Sequence, residues 1–187
     1  MTDLDLLLAK AKAFHGDLCA GIVLGTRMTM IGMRELGMNP LERNKNLIVY
    51  VEIDRCIADA IQAITGCSLG HRTLKYRPYG KFAATYINLK NGEAVRVAVV
   101  EKKRTEKTGQ EAMKDASRIL LEAPEADLFR LKKVRVAIPE GDMPGMPKYH
   151  ARCSRCNDMI VDNKEVVVDG AVLCGNCAHG SYYTETE

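Results

Sequence analysis

The sequence predicts an α+β protein, with a mixed or antiparallel sheet packed against helices and a small cysteine-rich domain after it. Three observations carry this. Apolar residues recur at helical spacing over 4–14, and 18–37 reads as a second, more apolar helix. Two β-branched runs, KFAATYINL and EAVRVAVV, flank Asn91-Gly92, a pair that tolerates positive φ and so signals a hairpin. Two Cys-x-x-Cys pairs follow a stretch rich in proline and glycine.

Taken in order, Leu4, Leu7, Leu8, Ala11 and Phe14 form one apolar face, and the helix ends near His15-Gly16. LCAGIVLGTRMTMIGMRELG, 18–37, is apolar on most sides and is expected to be well buried, with Gly37 and Asn39-Pro40 as its stop. NLIVYVEI, 46–53, is a strand, and CIADAIQAITG, 56–66, is a helix stopped by Gly66. Residues 70–80 read as an extended loop, 108–122 as an amphipathic helix, Pro124 as the opening of a short turn or helix, and 131–138 as the last strand. The organisation expected is a core domain over 1–138, a linker over 139–149 and a four-cysteine domain over 150–187.

The totals exclude several classes. The chain has 187 residues, 47% hydrophobic and 27% charged, which suits a soluble domain with an appendage. No run of about 18 apolar residues occurs, and the N-terminus lacks a basic start and a cleavage pattern. A cytoplasmic protein with no membrane partner is expected. The formal charge of +3 is too small to argue for nucleic acid. Four thiolates on one zinc would form a centre of net −2, lowering it further. The seven cysteines are odd in number and read as metal ligands or reactive thiols rather than disulfides.

Cys153, Cys156, Cys174 and Cys177 form the two pairs. Two residues between cysteines let both sulfurs turn onto one ion, and a second such knuckle completes the tetrahedron zinc prefers. A structural zinc follows, with no open coordination position. The residues between the pairs alternate and contain Asp169-Gly170, which reads as a hairpin bringing the knuckles together. Neither pair sits in a βαβ setting, so a thioredoxin-like redox role is disfavoured. His179 reads as solvent-facing. The tail has no aromatic-basic cluster, so nucleic acid is not the expected partner.

Asp17-Leu18-Cys19 and Asp54-Arg55-Cys56 repeat one arrangement, each at a predicted helix start. Each aspartate is a candidate N-cap, which makes each cysteine the second helical residue. Backbone N–H groups there lower a thiol pKa, and the adjacent aspartate opposes them. If the two starts face each other, His15, Cys19 and Cys56 make a three-ligand site for zinc or another transition metal. The alternative leaves the cysteines as small core residues and His15 as a helix end. Cys67 is about 16 Å from Cys56 along a regular helix, whereas sulfurs on one ion lie about 4 Å apart. It is kept as a lower-ranked metal ligand and, with Cys19, as a candidate nucleophile. His71, Lys75 and Lys81 either line a site or are solvated.

Together these segments resemble the FmdE family of formylmethanofuran dehydrogenase. FHGDLCAG is similar to the family's His-Gly-His-x-Cys-Pro-Gly opening, with Asp17 in place of the second histidine and Ala20 in place of the proline. CIADAIQAITGCSLG resembles its second segment through Cys56, Asp59, Ala60, Gln62, Thr65, Gly66, Cys67 and Gly70, and Tyr79-Gly80-Lys81 a third. The resemblance implies an α+β core similar to the catalytic domain of glyceraldehyde-phosphate dehydrogenase and a C-terminal zinc ribbon or treble clef. It also implies a homodimer, and a metal or active site at His15, Cys19, Cys56 and Cys67, with Asp17 as an oxygen ligand or only a cap. The parent complex is a molybdenum or tungsten enzyme of one-carbon metabolism whose pterin chemistry lies in other subunits. The chain has neither a dinucleotide fingerprint nor iron–sulfur ligands beside the tail. The leading expectation is a metal-binding accessory protein or subunit of such an oxidoreductase. A stand-alone metal- or thiol-dependent enzyme and a zinc-finger interaction module are the alternatives.

Overall fold

The computed structural model describes residues 1–100 and 110–186. The chain divides into two units, Met1–Val136 and Ala137–Glu187. The first is built around strand β1 (Leu47–Val51), all five of whose residues are buried. A β-branched run buried on both faces is what a central strand requires. After β1 the chain forms helix α3 (Cys56–Thr65) and returns as β2 (Leu74–Tyr76), parallel to β1 with Val49 opposite Leu74. The antiparallel hairpin β3 (Ala83–Asn88) and β4 (Ala94–Val99) turns at Asn91-Gly92 as expected, and β5 (Phe129–Val134) closes the edge. Among the described residues this sheet has the order β2-β1-β3-β4-β5 and is mixed. No helix among them is long and apolar enough to cross a membrane.

Helices α1 (Asp3–His15) and α2 (Ala20–Glu35) precede the sheet. Thr2 and Asp5 form a capping box at the start of α1, with Thr2 Oγ1 accepting from the Asp5 N–H at 3.2 Å and Asp5 Oδ2 accepting from the Thr2 N–H at 2.8 Å. One sheet face, carrying Leu47, Val49, Val51, Ala84, Tyr86, Val95 and Val97, shares a core with Met28, Ile31 and Met33 of α2 and Ile57 and Ile61 of α3. Helix α4 (Gln110–Glu122) is held by Arg27, whose guanidinium donates to the carbonyls of Leu120 and Leu121. Residues 108 and 109 of the expected helix lie outside the described residues. Pro124 opens the short helix α5 (Glu125–Leu128), which Arg34 grips through Glu125 at 2.8 and 3.2 Å.

Two expectations in this unit are corrected. The stretch 70–80 is not all loop, because β2 lies within it. Three residues between a turn and Pro78 carry little signal of their own, and pairing with β1 makes them a strand. The last strand runs over Phe129–Val134 rather than 131–138. Its partner β4 begins at Ala94, opposite Val134, so later residues have no strand to pair with.

In the second unit, the prolines and glycines of 139–149 do not run free. A 3₁₀ turn at Glu140–Asp142 packs so closely that a side chain on Gly141 would collide with the Asp162 carbonyl. Lys164 Nζ donates to Asp142 at 2.7 Å. The expected single hairpin is two. β6 (His150–Arg152) pairs with β7 (Met159–Val161), and β8 (Val166–Val168) pairs with β9 (Ala171–Leu173) across Asp169-Gly170. Both turn residues have positive φ, 49° and 82°, as a tight hairpin requires. The short helix α6 (Gly175–His179) follows.

Helices α2 and α3 touch at Gly25. A Cβ there would lie 2.7 Å from the Ala60 Cβ and 2.8 Å from the Ile57 Cα. Gly25→Val is expected to cost about 1–3 kcal/mol by overpacking, read as a lowered urea midpoint at unchanged slope.

Candidate metal centres

In the tail, the four cysteine sulfurs lie within 4.8 Å of one another. Cys156 Sγ and Cys174 Sγ are 3.8 Å apart. A tetrahedron with Zn–S near 2.3 Å has edges of about 3.8 Å, so this pair already has the spacing zinc demands. The first knuckle is shaped by Cys153 and Asn157. The Cys153 N–H donates to Asp158 O at 3.0 Å, the Asn157 N–H donates to Cys153 O at 2.9 Å, and Asn157 takes φ 64°. The second is the start of α6, where Cys174 is the N-cap and its sulfur accepts from the Cys177 N–H at 3.5 Å. Ser154 N–H donates to Val172 O at 2.8 Å and ties the two hairpins together. Backbone N–H groups of Cys156 and Cys174 hold the Cys153 thiol down, to about 6. Among the described residues, Cys153, Ile160 and Leu173 form the buried cluster here, with Ala151, Val172 and Ala178 partly buried against it. So small a core leaves most of the stability to the ion. His179 is exposed and outside the cluster.

In the first unit, His15, Cys19 and Cys56 converge, with ligand atoms all within 4.8 Å of one another. Each comes from a different helix, and all three are half-buried. His15 is the last residue of α1, and Gly16 at φ 102° turns the chain away. His15 Nε2 lies 3.8 Å from Cys19 Sγ, a few tenths of an ångström beyond the roughly 3.5 Å edge expected for one nitrogen and one sulfur on zinc. The donor set fits zinc or another borderline metal and supplies three ligands, one short of a tetrahedron.

Gly21 makes the convergence possible. A Cβ at Gly21 would lie 2.8 Å from the Cys56 Cβ, 3.4 Å from Cys56 Sγ and 3.6 Å from Cys19 Sγ. Cys56 opens the helix of a β1–α3–β2 unit, just beyond the carboxyl end of β1. Open sheets generally place their sites at that edge.

The caps differ from expectation. Cys19 is itself the N-cap of α2 with extended backbone, φ −107°, and Asp17 makes no cap bond. Asp17 is exposed and outside the cluster, so it acts here as neither cap nor donor. At α3 the N-cap is Arg55, again without a side-chain bond, and Cys56 is the first helical residue. The helix start does lower the Cys56 thiol through its own N–H. Burial, first, and the adjacent Cys19 thiol outweigh this and push it up.

Cys67 is not brought to this cluster. It is 3% exposed in the main core, its S–H donates to Leu47 O at 3.5 Å, and burial pushes its thiol up. Buried thiols of this kind are inert. His71 is exposed beside Ser68 Oγ at 2.7 Å, Lys75 lies in β2, and Lys81 sits 5.8 Å over the Tyr79 ring. His71 belongs to neither cluster. Sequence reasoning placed Asp59 in a family-like segment but gave it no role at the site; its Oδ2 is 2.8 Å from His15 Nδ1. Its place three residues after Cys56, on the same helix face, was the available signal.

Residues 14–130 match the model of the family described as FmdE, molybdenum formylmethanofuran dehydrogenase operon. The chain belongs to the FmdE family. Residues 147–183 of this FmdE-family chain match the prokaryotic dksA/traR C4-type zinc finger, so the tail is a zinc finger, and Cys153, Cys156, Cys174 and Cys177 are the four-cysteine cluster within it that could hold the ion. A probable S-adenosyl-L-methionine-binding protein of Archaeoglobus fulgidus is 31% identical over 200 aligned positions, covering 95% of this chain. The chain spans about half of that relative's length, 53%. A crystal structure of a tungsten formylmethanofuran dehydrogenase FmdE-like protein from Syntrophus aciditrophicus superposes with a TM-score of 0.60 at 22% identity, covering 97% of this chain and 95% of that one. This FmdE-family chain shares that fold.

The fluorogenic crosslinker dibromobimane should join Cys19 to Cys56 in the full chain, seen as one linked peptide by mass spectrometry, and Gly21→Val should abolish the link by forcing the helix starts apart. Cys174→Ser should remove one zinc per chain and open the tail to protease while the first unit stays folded.

Proposed function

We propose that this FmdE-family chain is a metal-binding accessory protein of a molybdenum or tungsten one-carbon oxidoreductase, with a second metal at His15, Cys19 and Cys56. The observation that carries the reading is the convergence of those three donors from three helices. Zinc or another transition metal suits the set, and two thiolates with a neutral imidazole neutralise a divalent ion. Family membership supports the association with other oxidoreductase components, and the chain is read as a cytoplasmic homodimer. When bound, such an ion supplies a Lewis-acid centre with one exchangeable position. A donor set one short of four also supports a second reading, a stand-alone enzyme in which the ion activates water or a carbonyl.

The test is metal analysis of the full chain purified without added metal. Two equivalents are expected in the native chain and one in the Cys19→Ala, Cys56→Ala double variant. Equal metal in both would end the core assignment. Tagged chain recovered from its own cells should bring molybdenum or tungsten with it, and their absence would favour the stand-alone enzyme.

A further inference from the structure

We propose that Asp59 is a positioning residue for the core site, holding His15 in the tautomer that presents Nε2 as a bare acceptor nitrogen to a metal ion. The inference rests on reading that site as a metal site. His15 Nδ1 lies 2.8 Å from Asp59 Oδ2, and His15 Nε2 lies 3.8 Å from Cys19 Sγ. An ionised carboxylate only accepts, so the proton in the first contact sits on Nδ1, which in the neutral ring leaves the lone pair on Nε2 facing the Cys19 thiol.

The assignment matters because a neutral histidine ring in water favours the other tautomer, with its proton on Nε2. In that form the nitrogen facing Cys19 has no lone pair to give. Asp59 therefore inverts the intrinsic preference of the ring. A carboxylate behind a histidine ligand also fixes ring orientation and raises ligand basicity.

The fold makes this a rigid device. Cys56 and Asp59 lie one turn apart on α3, so a single helical turn carries one thiol donor and the orienting carboxylate. Helix α1, which ends in His15, is fixed along α3. Lys10 Nζ donates to Ile64 O at 3.3 Å, and Ala11 shares a buried cluster with Ile22, Ala60 and Ala63, against which Cys19 and Cys56 also pack. The ring has two torsions, and Asp59 determines where its edge points.

The experiment uses the full chain, with the tail zinc as internal reference. Zinc affinity of the core is measured by competition with a chromophoric chelator, and the His15 tautomer by ¹⁵N NMR of the metal-free core. Asp59→Ala is expected to weaken the core site about 10–100-fold, leave the tail unchanged and move the proton of neutral His15 to Nε2. Asp59→Glu should recover most of both. Wild-type affinity and tautomer in Asp59→Ala would overturn the proposal, because a role confined to packing moves neither. If Asp59→Ala does not fold, Asp59→Leu, similar in size and without an acceptor, carries the same test: weakened affinity supports the proposal and unchanged affinity overturns it. If the wild-type core takes up no zinc, the metal-site reading fails, and the tautomer measurement alone then decides the role of Asp59.

Discussion

The first unit depends on how closely α2 can approach α3. Two glycines one turn apart, Gly21 and Gly25, leave the α2 face bare where α3 crosses it. Gly25 meets Ile57 and Ala60, and Gly21 meets Cys56. Helices packed through ordinary side chains stay 8–10 Å apart, and small residues let backbones come nearer. The core and the site follow from the same contact. It seats Ile57 and Ile61 over the sheet in the cluster that holds Tyr86 and Val97, and it brings the Cys56 sulfur towards that of Cys19. The Tyr86 hydroxyl, 3.0 Å from Thr29 Oγ1, gives α2 a polar anchor on the sheet as well.

Much of this was legible in the sequence, and the failures have physical causes. The end of α1 at His15 could be read because apolar periodicity stops where glycine begins. The two thiols could be placed at helix starts because Asp-x-Cys recurs. The cap itself could not be read, since an aspartate two residues away is a good cap in general and makes no cap bond here. The tail knuckles were legible from spacing alone, because zinc geometry admits few alternatives. Strand β2 was not, since three residues owe their conformation to β1. Asp59 was legible only in part: its place one turn after Cys56 could be read, but its partner lies 44 positions away and only the packing of α1 on α3 joins them.

The two clusters differ in kind. The tail offers four sulfurs, two in a hairpin turn and two at the start of α6, with a small core below them, so its fold and its ion form together. The first unit has an extensive core that does not need the cluster, and its donors sit half-buried on the ends of helices already held by packing. A closed set of ligands suits structure, and an incomplete set on a preformed scaffold suits exchange or chemistry.

The origin of His15, Cys19 and Cys56 on three separate helices has a thermodynamic corollary. An unfolded chain cannot hold these side chains together without closing long loops, which is entropically unfavourable. Anything that binds all three therefore binds only the folded form. By mass action a ligand at a hundred times its dissociation constant stabilises the fold by about 2.7 kcal/mol. The core cluster would then act as a reversible staple, and the melting temperature of the first unit would rise with free metal concentration in the surrounding solution.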